Sequence, residues 1–543
     1  MNRVRNVNAA GLAMTLLLAW LVVYPILIVV LEAANGPGAW SEFFTRPGEW
    51  AALWASVWIS LASVALAAAI GIPLAFLFEW FDFPGRRTLG ALIALPVVLP
   101  PLVGVIAFLF LYGESGFVTR ALQTLLGLEQ APWRLQGPLA ILLVHAYSMY
   151  VYFYLFTRAG LAKLDVSMLE AAQALGAGRR ATLWRVIVPL LRPSLVGAAI
   201  LTFMTALGSF SAPYIFGGGF RVMTTQIVAT KLNGDLPLAM VETVALAVVA
   251  VVGLAILRRT EGDDVLVALG KGIAPQRRPI RRRGARMLAT GAGWGFAVVL
   301  LLPHLTLGLV SLVPYGAWTT QILPPVINFD NYRRLFSEAE RLRPLLNSLW
   351  MAAASTALAV VLALAAGWLV VKRRVVLRRV IEGLLALPWA LPGTVFAIAL
   401  AITFSVHAPL ELRFVLVGTA LILPLAYLVR ALPLTGRALL ASYRQLDPSL
   451  QEAAASLGAG RWRTLARVTL PQLSPGLMAG ASLAFVAALG DLVASIVLYT
   501  YETRPISIEI LSSLRLDEVG VAAAFGVVVM VASGLVLAIG ARR

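Results

Sequence analysis

The residues of this chain best placed to do chemistry occur twice. Glu170-Ala171-Ala172-Gln173-Ala174-Leu175-Gly176-Ala177-Gly178-Arg179 recurs as Glu452-Ala453-Ala454-Ala455-Ser456-Leu457-Gly458-Ala459-Gly460-Arg461, 282 positions later (452 minus 170). Each copy runs through a basic stretch to a proline, Val186-Ile187-Val188-Pro189 and Val468-Thr469-Leu470-Pro471. This pattern suits docking rather than bond-making. A carboxylate, small residues and a glycine turn make a short polar surface with a fixed exit, needed here twice. Bond-making machinery is missing from the rest of the chain. The 3 histidines show no metal-ligand spacing, and no nucleophile–base constellation is present. The absence of cysteine excludes disulfides, thiolate metal sites and cysteine nucleophiles. No Gly-x-x-x-x-Gly-Lys-Ser/Thr occurs; Gly270-Lys271-Gly272 lacks the upstream glycine and the hydroxyl residue. The chain is not expected to be an enzyme, and any phosphate binding belongs to a partner.

The elements that carry these segments are membrane helices. The 543 residues are 60% hydrophobic and 13% charged, with mean hydropathy +0.86. Soluble domains carry about 25% charged residues. Runs such as 12–31, 53–79, 88–112, 195–216 and 519–541 reach the roughly 20 apolar residues that cross a bilayer. The net charge of +18 does not point to nucleic acid, because the cations cluster at segment ends. Arg3 and Arg5, Arg86 and Arg87, Arg258 and Arg259, Arg281 to Arg283, Lys372 to Arg374, and Arg542 and Arg543 follow the positive-inside pattern, with membrane lipid as their partner. The first run is longer than a signal-peptide core and no small-x-small site closes it. Its Tyr24-Pro25-Ile26-Leu27 matches Leu302-Pro303-His304-Leu305, so it reads as a retained first helix.

The repeat covers the whole chain. Ala94-Leu95-Pro96-Val97-Val98-Leu99-Pro100 pairs with Ala386-Leu387-Pro388-Trp389-Ala390-Leu391-Pro392, Arg86-Arg87 with Arg378-Arg379, and Ser56-Val57-Trp58 with Ser348-Leu349-Trp350. Leu207-Gly208-Ser209-Phe210 pairs with Leu489-Gly490-Asp491-Leu492. Two halves in one orientation each need an even number of spans. The expected spans are 10–31, 53–79, 88–112, 138–157, 195–216 and 237–257, then 287–313, 346–371, 380–404, 413–433, 476–498 and 519–541. The expected domains are 1–258 and 287–543, joined by a charged, glycine- and proline-containing linker, 259–286, too short to hold a catalytic domain. The basic loops put both termini, the linker and both repeated segments in the cytoplasm of a multi-pass inner-membrane protein. A parallel repeat implies a pseudo-twofold axis along the membrane normal, with a path between the halves.

Locally, each repeated segment reads as a short helix. Asp165 and Ser167 are candidate caps, Glu170 is expected near the positive N-terminal end, and Gly176 and Gly178 turn the chain. Arg179, Arg180, Arg185 and Arg192 follow, and Pro189 and Pro193 mark the approach to the next membrane helix. Asp447-Pro448, Glu452, Gly458, Gly460, Arg461, Arg463, Arg467, Pro471 and Pro475 repeat this. One such copy alone would read as a helix resting at lipid headgroups. Lipid attraction does not need a register, and the two copies keep one.

The two segments resemble the EAA loop of permease subunits in binding-protein-dependent ABC importers. That pattern is Glu-Ala-Ala, three residues, Gly, nine residues, then Ile-x-Leu-Pro. Glu170-Ala171-Ala172, Gly176, Val186, Val188 and Pro189 meet it, as do Glu452-Ala453-Ala454, Gly458, Val468, Leu470 and Pro471, with only valine for isoleucine or leucine. The resemblance implies an all-α polytopic protein of two tandem six-helix type I permease domains. It implies that each loop is a coupling helix docked in a separate ATPase subunit, two copies in all. Glu170 and Glu452 would face basic groups there, ATP and magnesium would sit on the ATPase, and a periplasmic or extracellular binding protein would deliver substrate. This chain would bind no cofactor.

Substrate residues are less defined. Asp491, which replaces Ser209 of the first half, is an ionisable group inside a span and a path candidate, or a cap, or a partner for Arg504. His145 is a path candidate or a buried hydrogen-bonded side chain, and Tyr147, Tyr150 and Tyr154 share a face that lines the path or packs. Gly217-Gly218-Gly219 reads as an outer turn facing the binding protein. The fused form, the Leu-Gly-Asp segment and the Phe-Gly-Gly-Gly stretch resemble the iron(III) and thiamine importer branches. Iron(III) is the expected cargo, with thiamine, a polyamine or a phosphonate as alternatives. A secondary transporter driven by an ion gradient is the rival class; it calls for paired intramembrane acids in both halves, where only Asp491 stands out.

Overall fold

The structure, a computed structural model, describes residues 2–260, 277–317, 323–405 and 415–541. Most of the linker, including Gly270-Lys271-Gly272, lies outside the described residues, as do Arg542 and Arg543. Among the described residues, 11 helices are long and apolar enough to cross a membrane, or 12 with one bent pair counted as a span. The last expected span, 519–541, coincides with the helix Val519–Ala541, and 237–257 and 138–157 fall within Leu236–Arg259 and Gly137–Leu161.

The differences fall where prolines and glycines interrupt apolar runs. The third span of each half is broken. Arg86–Leu92 gives way to a tight turn at Leu95–Val98 before Pro101–Tyr112 begins. In the second half the pair Arg378–Trp389 and Gly393–Thr403 is bent by 104°. Each of these prolines lacks an N–H and opens a helix or turn instead of continuing one. The fifth spans stop at Leu207 and Leu489, short of 216 and 498. They break at Gly208-Ser209-Phe210 and Gly490-Asp491-Leu492 and restart as Ser211–Phe216 and Val493–Leu498. The fourth span of the second half is Ile422–Gln445, not 413–433. It continues beyond Pro433, because a helix leaving the hydrocarbon can carry charges such as Arg437 that an apolar window excludes.

The halves exchange their first helices. Asn2–Asn35 packs on Gly393–Thr403 and Arg378–Ala386 of the second half, while Arg283–Val310 packs on Pro101–Tyr112 and Arg86–Leu92 of the first. Trp20 meets Phe404 edge to face, with ring centroids 5.7 Å apart. Neither half buries its third span alone, so the two fold around one shared seam.

Inside each half the second and fourth spans pack most closely. A Cβ added at Gly71 would land on the Tyr150 carbonyl oxygen and 2.7 Å from Phe153 Cβ. Gly71→Ala is therefore predicted to lower stability by roughly 1–3 kcal/mol through overpacking. Gly104, with nothing within 4 Å of an added Cβ, is the control, and Gly104→Ala should be neutral or up to about 1 kcal/mol stabilising. Thermal unfolding in detergent distinguishes the two.

Candidate functional site at the paired loops and the seam between halves

The repeated loops are built alike. Asp165 accepts the Ser167 N–H at 3.0 Å and Asp447 the Ser449 N–H at 2.9 Å, capping the helices Val166–Ala174 and Pro448–Ser456. The Ser449 backbone N–H, with the Ser449 side chain, holds the Asp447 carboxyl below its ordinary range. Both helices end in the same left-handed glycine, Gly176 at φ +80° and Gly458 at φ +75°. The Ala177 N–H then reaches back to the Ala172 carbonyl at 3.0 Å, and Ala459 to Ala454 at 2.9 Å, the closing bond of a Schellman end.

Neither helix buries a residue, and Leu175 and Leu457 are 89% and 88% exposed. Covering a leucine is worth about 1.5–3 kcal/mol. Two bare leucines in one register therefore mark an unpartnered face. Glu170 and Glu452 lie at mid-helix, outside the first turn where they were expected. The dipole acts mainly within that turn, so it does not hold them. Both are exposed and form no ion pair among the described residues. Ala171 and Ala453 are exposed beside them, with Ala172 and Ala454 half-buried.

Pro189 and Pro471 do not open the next membrane helices. Those helices already run from Arg179 to Leu207 and from Arg461 to Leu489. Each proline sits just past a widened turn, Leu183–Ile187 and Leu465–Thr469, closed by the bonds Val188 N–H to Leu183 and Leu470 N–H to Leu465. The wider turn accommodates the missing N–H and the proline ring without ending the helix. Each membrane helix is thus one stiff lever, separated from the loop helix only by the glycine turn.

At the seam, the two other repeated motifs meet across the halves. A Cβ on Gly490 would strike Pro100, and one on Gly208 would stand 3.5 Å from Pro392 Cα. The Ser209 and Asp491 carbonyls each accept a hydroxyl at 2.7 Å, from Thr224 and Ser507. Ser56 and Ser348 accept the Met223 and Ile506 N–H groups, each at 2.7 Å. Lys231 of the first half donates to the Val497 carbonyl of the second at 2.7 Å. Arg515 of the second half donates to the Tyr214 hydroxyl of the first.

The side chains at this symmetric frame differ. In the first half His145 is buried, bonded to Ser63 through Nδ1 and to Ser209 through Nε2, each at 2.8 Å. In the second half Tyr427 stands at the repeat position of His145 and bonds Ser495 at 2.7 Å. Asp491 caps Val493–Leu498 by accepting the Ala494 N–H at 2.8 Å, and it forms an ion pair with Arg430. Arg504, the partner considered for Asp491, pairs instead with Glu509 at 3.1 Å. Tyr147 donates to the Leu300 carbonyl of the opposite half at 3.0 Å, while Tyr150 and Tyr154 are buried. Gly217 and Phe220 close a turn at 2.9 Å.

Arg430 interrupts Leu428-Val429-Arg430-Ala431-Leu432 within an expected span, a signal that spacing of the repeated motifs does not include. Asp491 is also not the only buried acid. Glu49 and Glu242 are 3% and 0% exposed, held by Gln226 at 3.0 Å and Thr230 at 2.8 Å. Glu49 lies just before the expected span 53–79, whereas Glu242 falls inside 237–257 and was legible there. No group of three metal-ligating side chains occurs among the described residues.

The first half carries Ser148 and Ser209 where the second carries Arg430 and Asp491. Arg430→Ser leaves the Asp491 side chain, 4% exposed, without its cation, at a predicted cost of about 3 kcal/mol. Asp491→Ser should cost less, because Arg430 is 38% exposed. The double variant, which copies the first half, should recover most of the loss in a double-mutant cycle read by thermal unfolding.

Comparison with known proteins agrees with this architecture. The signature of the family described as "binding-protein-dependent transport system inner membrane component" matches twice, at residues 67–260 and 359–543. A probable ABC transporter permease, y4fN of Sinorhizobium fredii, is 30% identical over 498 residues, 91% of this chain and 87% of that one. The ferric transport system permease FbpB of Actinobacillus pleuropneumoniae is 28% identical over 445 residues, 80% of this chain and 63% of that one. A putative ferric transport permease of Haemophilus influenzae, FbpB 1, is 30% identical over 418 residues, 76% and 64% of the two chains. This chain therefore spans just under two thirds of either ferric permease. Two matched domains in one predominantly helical membrane chain make it a fused double permease, a member of the binding-protein-dependent transport system inner membrane component family.

Proposed function

We propose that this chain is the translocation subunit of an ATP-driven importer for iron(III). Its two loops face the cytoplasm and each docks on one ATPase subunit, which supplies ATP, magnesium and hydrolysis. A binding protein delivers substrate at the opposite end, where Gly217-Gly218-Gly219 lies. The observation that carries the coupling role is the pair of capped loop helices that bury no residue, each joined by a glycine turn to a continuous membrane lever. Closure of an ATPase dimer would draw the levers together and rock residues 1–258 against 287–543. Lys231 and Arg515 would then be the outer contacts that part.

Iron(III) rests on the two ferric permeases, each similar over more than three quarters of this chain. At the fifth-span break Asp491 is already taken by Arg430 and Ala494 and is not free for a cation. Selectivity is accordingly assigned to the binding protein. Thiamine, polyamine and phosphonate remain the alternatives to compare.

Two outcomes follow. Glu170→Ala with Glu452→Ala should cut uptake at least roughly ten-fold and weaken ATPase-subunit retention on affinity purification, as removal of interface hot spots does; unchanged retention and uptake would remove the coupling role. In proteoliposomes holding the permease and its ATPase, an iron(III)-loaded binding protein should raise ATP hydrolysis. Stimulation by a thiamine- or polyamine-loaded binding protein instead would replace the substrate and leave the importer intact. Uptake that survives ATP depletion would point to the ion-driven class.

A further inference from the structure

The second half carries a basic cleft that its repeat partner does not. At the loop end, Arg374, Arg378, Arg379 and Arg444 line a space of about 380 Å³ floored by Val370 and Val371. Its one carboxylate, Glu382, is already engaged by Arg444 at 2.8 Å. Arg374, Arg378 and Arg379 have no acidic partner among the described residues. The helix Arg378–Ala386 begins here with no side-chain cap and no acid in its first turn. Its positive end is thus left to an outside anion. Arg374, at φ +51°, holds a backbone conformation uncommon for a residue other than glycine.

Insertion rules place arginines at this end of both halves, so charge alone decides nothing. The repeat supplies the comparison. Arg86-Arg87 of the first half match Arg378-Arg379, but Glu79 and Asp82 stand where the second half has Val371 and Arg374. Glu79 binds Arg158 at 3.2 Å and Arg277 at 2.9 Å, and Arg86 donates to the Phe78 carbonyl at 2.9 Å. The first-half corner thus holds two acids among its arginines, one of them engaged twice. The second-half corner lacks those anions.

Apolar side chains beside the cleft identify the missing anion. Val376 is 83% exposed and Val380 45%. Trp368, just before Val370 and Val371 in the chain, is 39% exposed with Arg373 4.7 Å from its ring, as aromatics at headgroup depth are. A ligand that satisfies both surfaces carries phosphate and acyl chains. We propose that this cleft binds the phosphate of an anionic phospholipid from the leaflet on the loop side. The site touches the root of one loop only. Arg444 lies on the helix that leads into Pro448–Ser456, and Lys372, next to the cleft floor, donates to Gln451 of that loop helix at 3.2 Å.

The test is native mass spectrometry of the delipidated full chain, titrated with phosphatidylglycerol, phosphatidylcholine and inorganic phosphate. The expected result is one phosphatidylglycerol per chain held in preference to phosphatidylcholine and not displaced by inorganic phosphate. Arg374→Gln with Arg378→Gln and Arg379→Gln should weaken it about 100-fold, at about five-fold per arginine. The same three changed to Lys should keep most of the binding, and Arg86→Gln with Arg87→Gln should leave it intact. An unchanged unfolding midpoint shows that the triple variant folds; should it not fold, Arg378→Gln alone should weaken binding about five-fold. Equal binding of both lipids, unaltered binding in the glutamine variants, or equal loss in the first-half variant would overturn the proposal. Displacement by inorganic phosphate would make the cleft a site for a free anion and overturn it as well.

Discussion

A backbone broken at membrane depth has no water to satisfy it, and that constraint shapes the whole molecule. Each half breaks its third and fifth spans, and each break is covered by protein from the seam. Thr224 and Ser507 donate to the carbonyls of Ser209 and Asp491, and Ser56 and Ser348 receive the N–H groups that open the following short helices. Glycine at 208 and 490 lets the fifth-span break approach the proline that ends the third-span break of the opposite half. Exchange of the first helices completes the cover. Each half thus satisfies the broken backbone with its own hydroxyls, and the opposite half covers the break with a proline and a first helix.

The frame is symmetric in its hydroxyls and glycines and asymmetric in its charges. His145 and Ser209 make a neutral pair on one side, while Arg430 and Asp491 make an ionic one on the other. The ties between halves show the same divergence, with Lys231 meeting a backbone carbonyl and Arg515 a tyrosine. Hydroxyls and glycines hold the backbone, so both copies need them. The charged groups are not needed to satisfy the broken backbone, so the copies can differ. At the loop end the order reverses. There the caps, the left-handed glycines and the bare leucines agree in detail, because both loops would meet identical copies of one partner.

The loops were the most legible part of the sequence. Their caps, glycine turn and register are local chemistry, and local chemistry survives without tertiary context. The duplicated organisation was equally plain, since 519–541 and the paired motifs needed only hydropathy and self-comparison. Breaks in the third and fifth spans were not read, because hydropathy averages over a proline or a Gly-Asp pair. Both signals were nonetheless present, in Leu99-Pro100 with Leu391-Pro392 and in Gly208-Ser209 with Gly490-Asp491. Arg430 was legible by its place in an apolar run. That it pairs with Asp491, and that Pro189 and Pro471 follow widened turns, depends on packing between distant segments that spacing does not encode.

The central claim is that the two loops are levers moved by a separate ATPase. The chain has no cysteine, so Leu175→Cys with Leu457→Cys gives a clean spin-label pair on the loops. The decisive measurement is the distance between those labels by pulsed electron resonance, in proteoliposomes with the cognate ATPase, before and after ATP binding. The account predicts a nucleotide-dependent shortening that requires the ATPase subunits. A distance indifferent to ATP with the ATPase bound would contradict it.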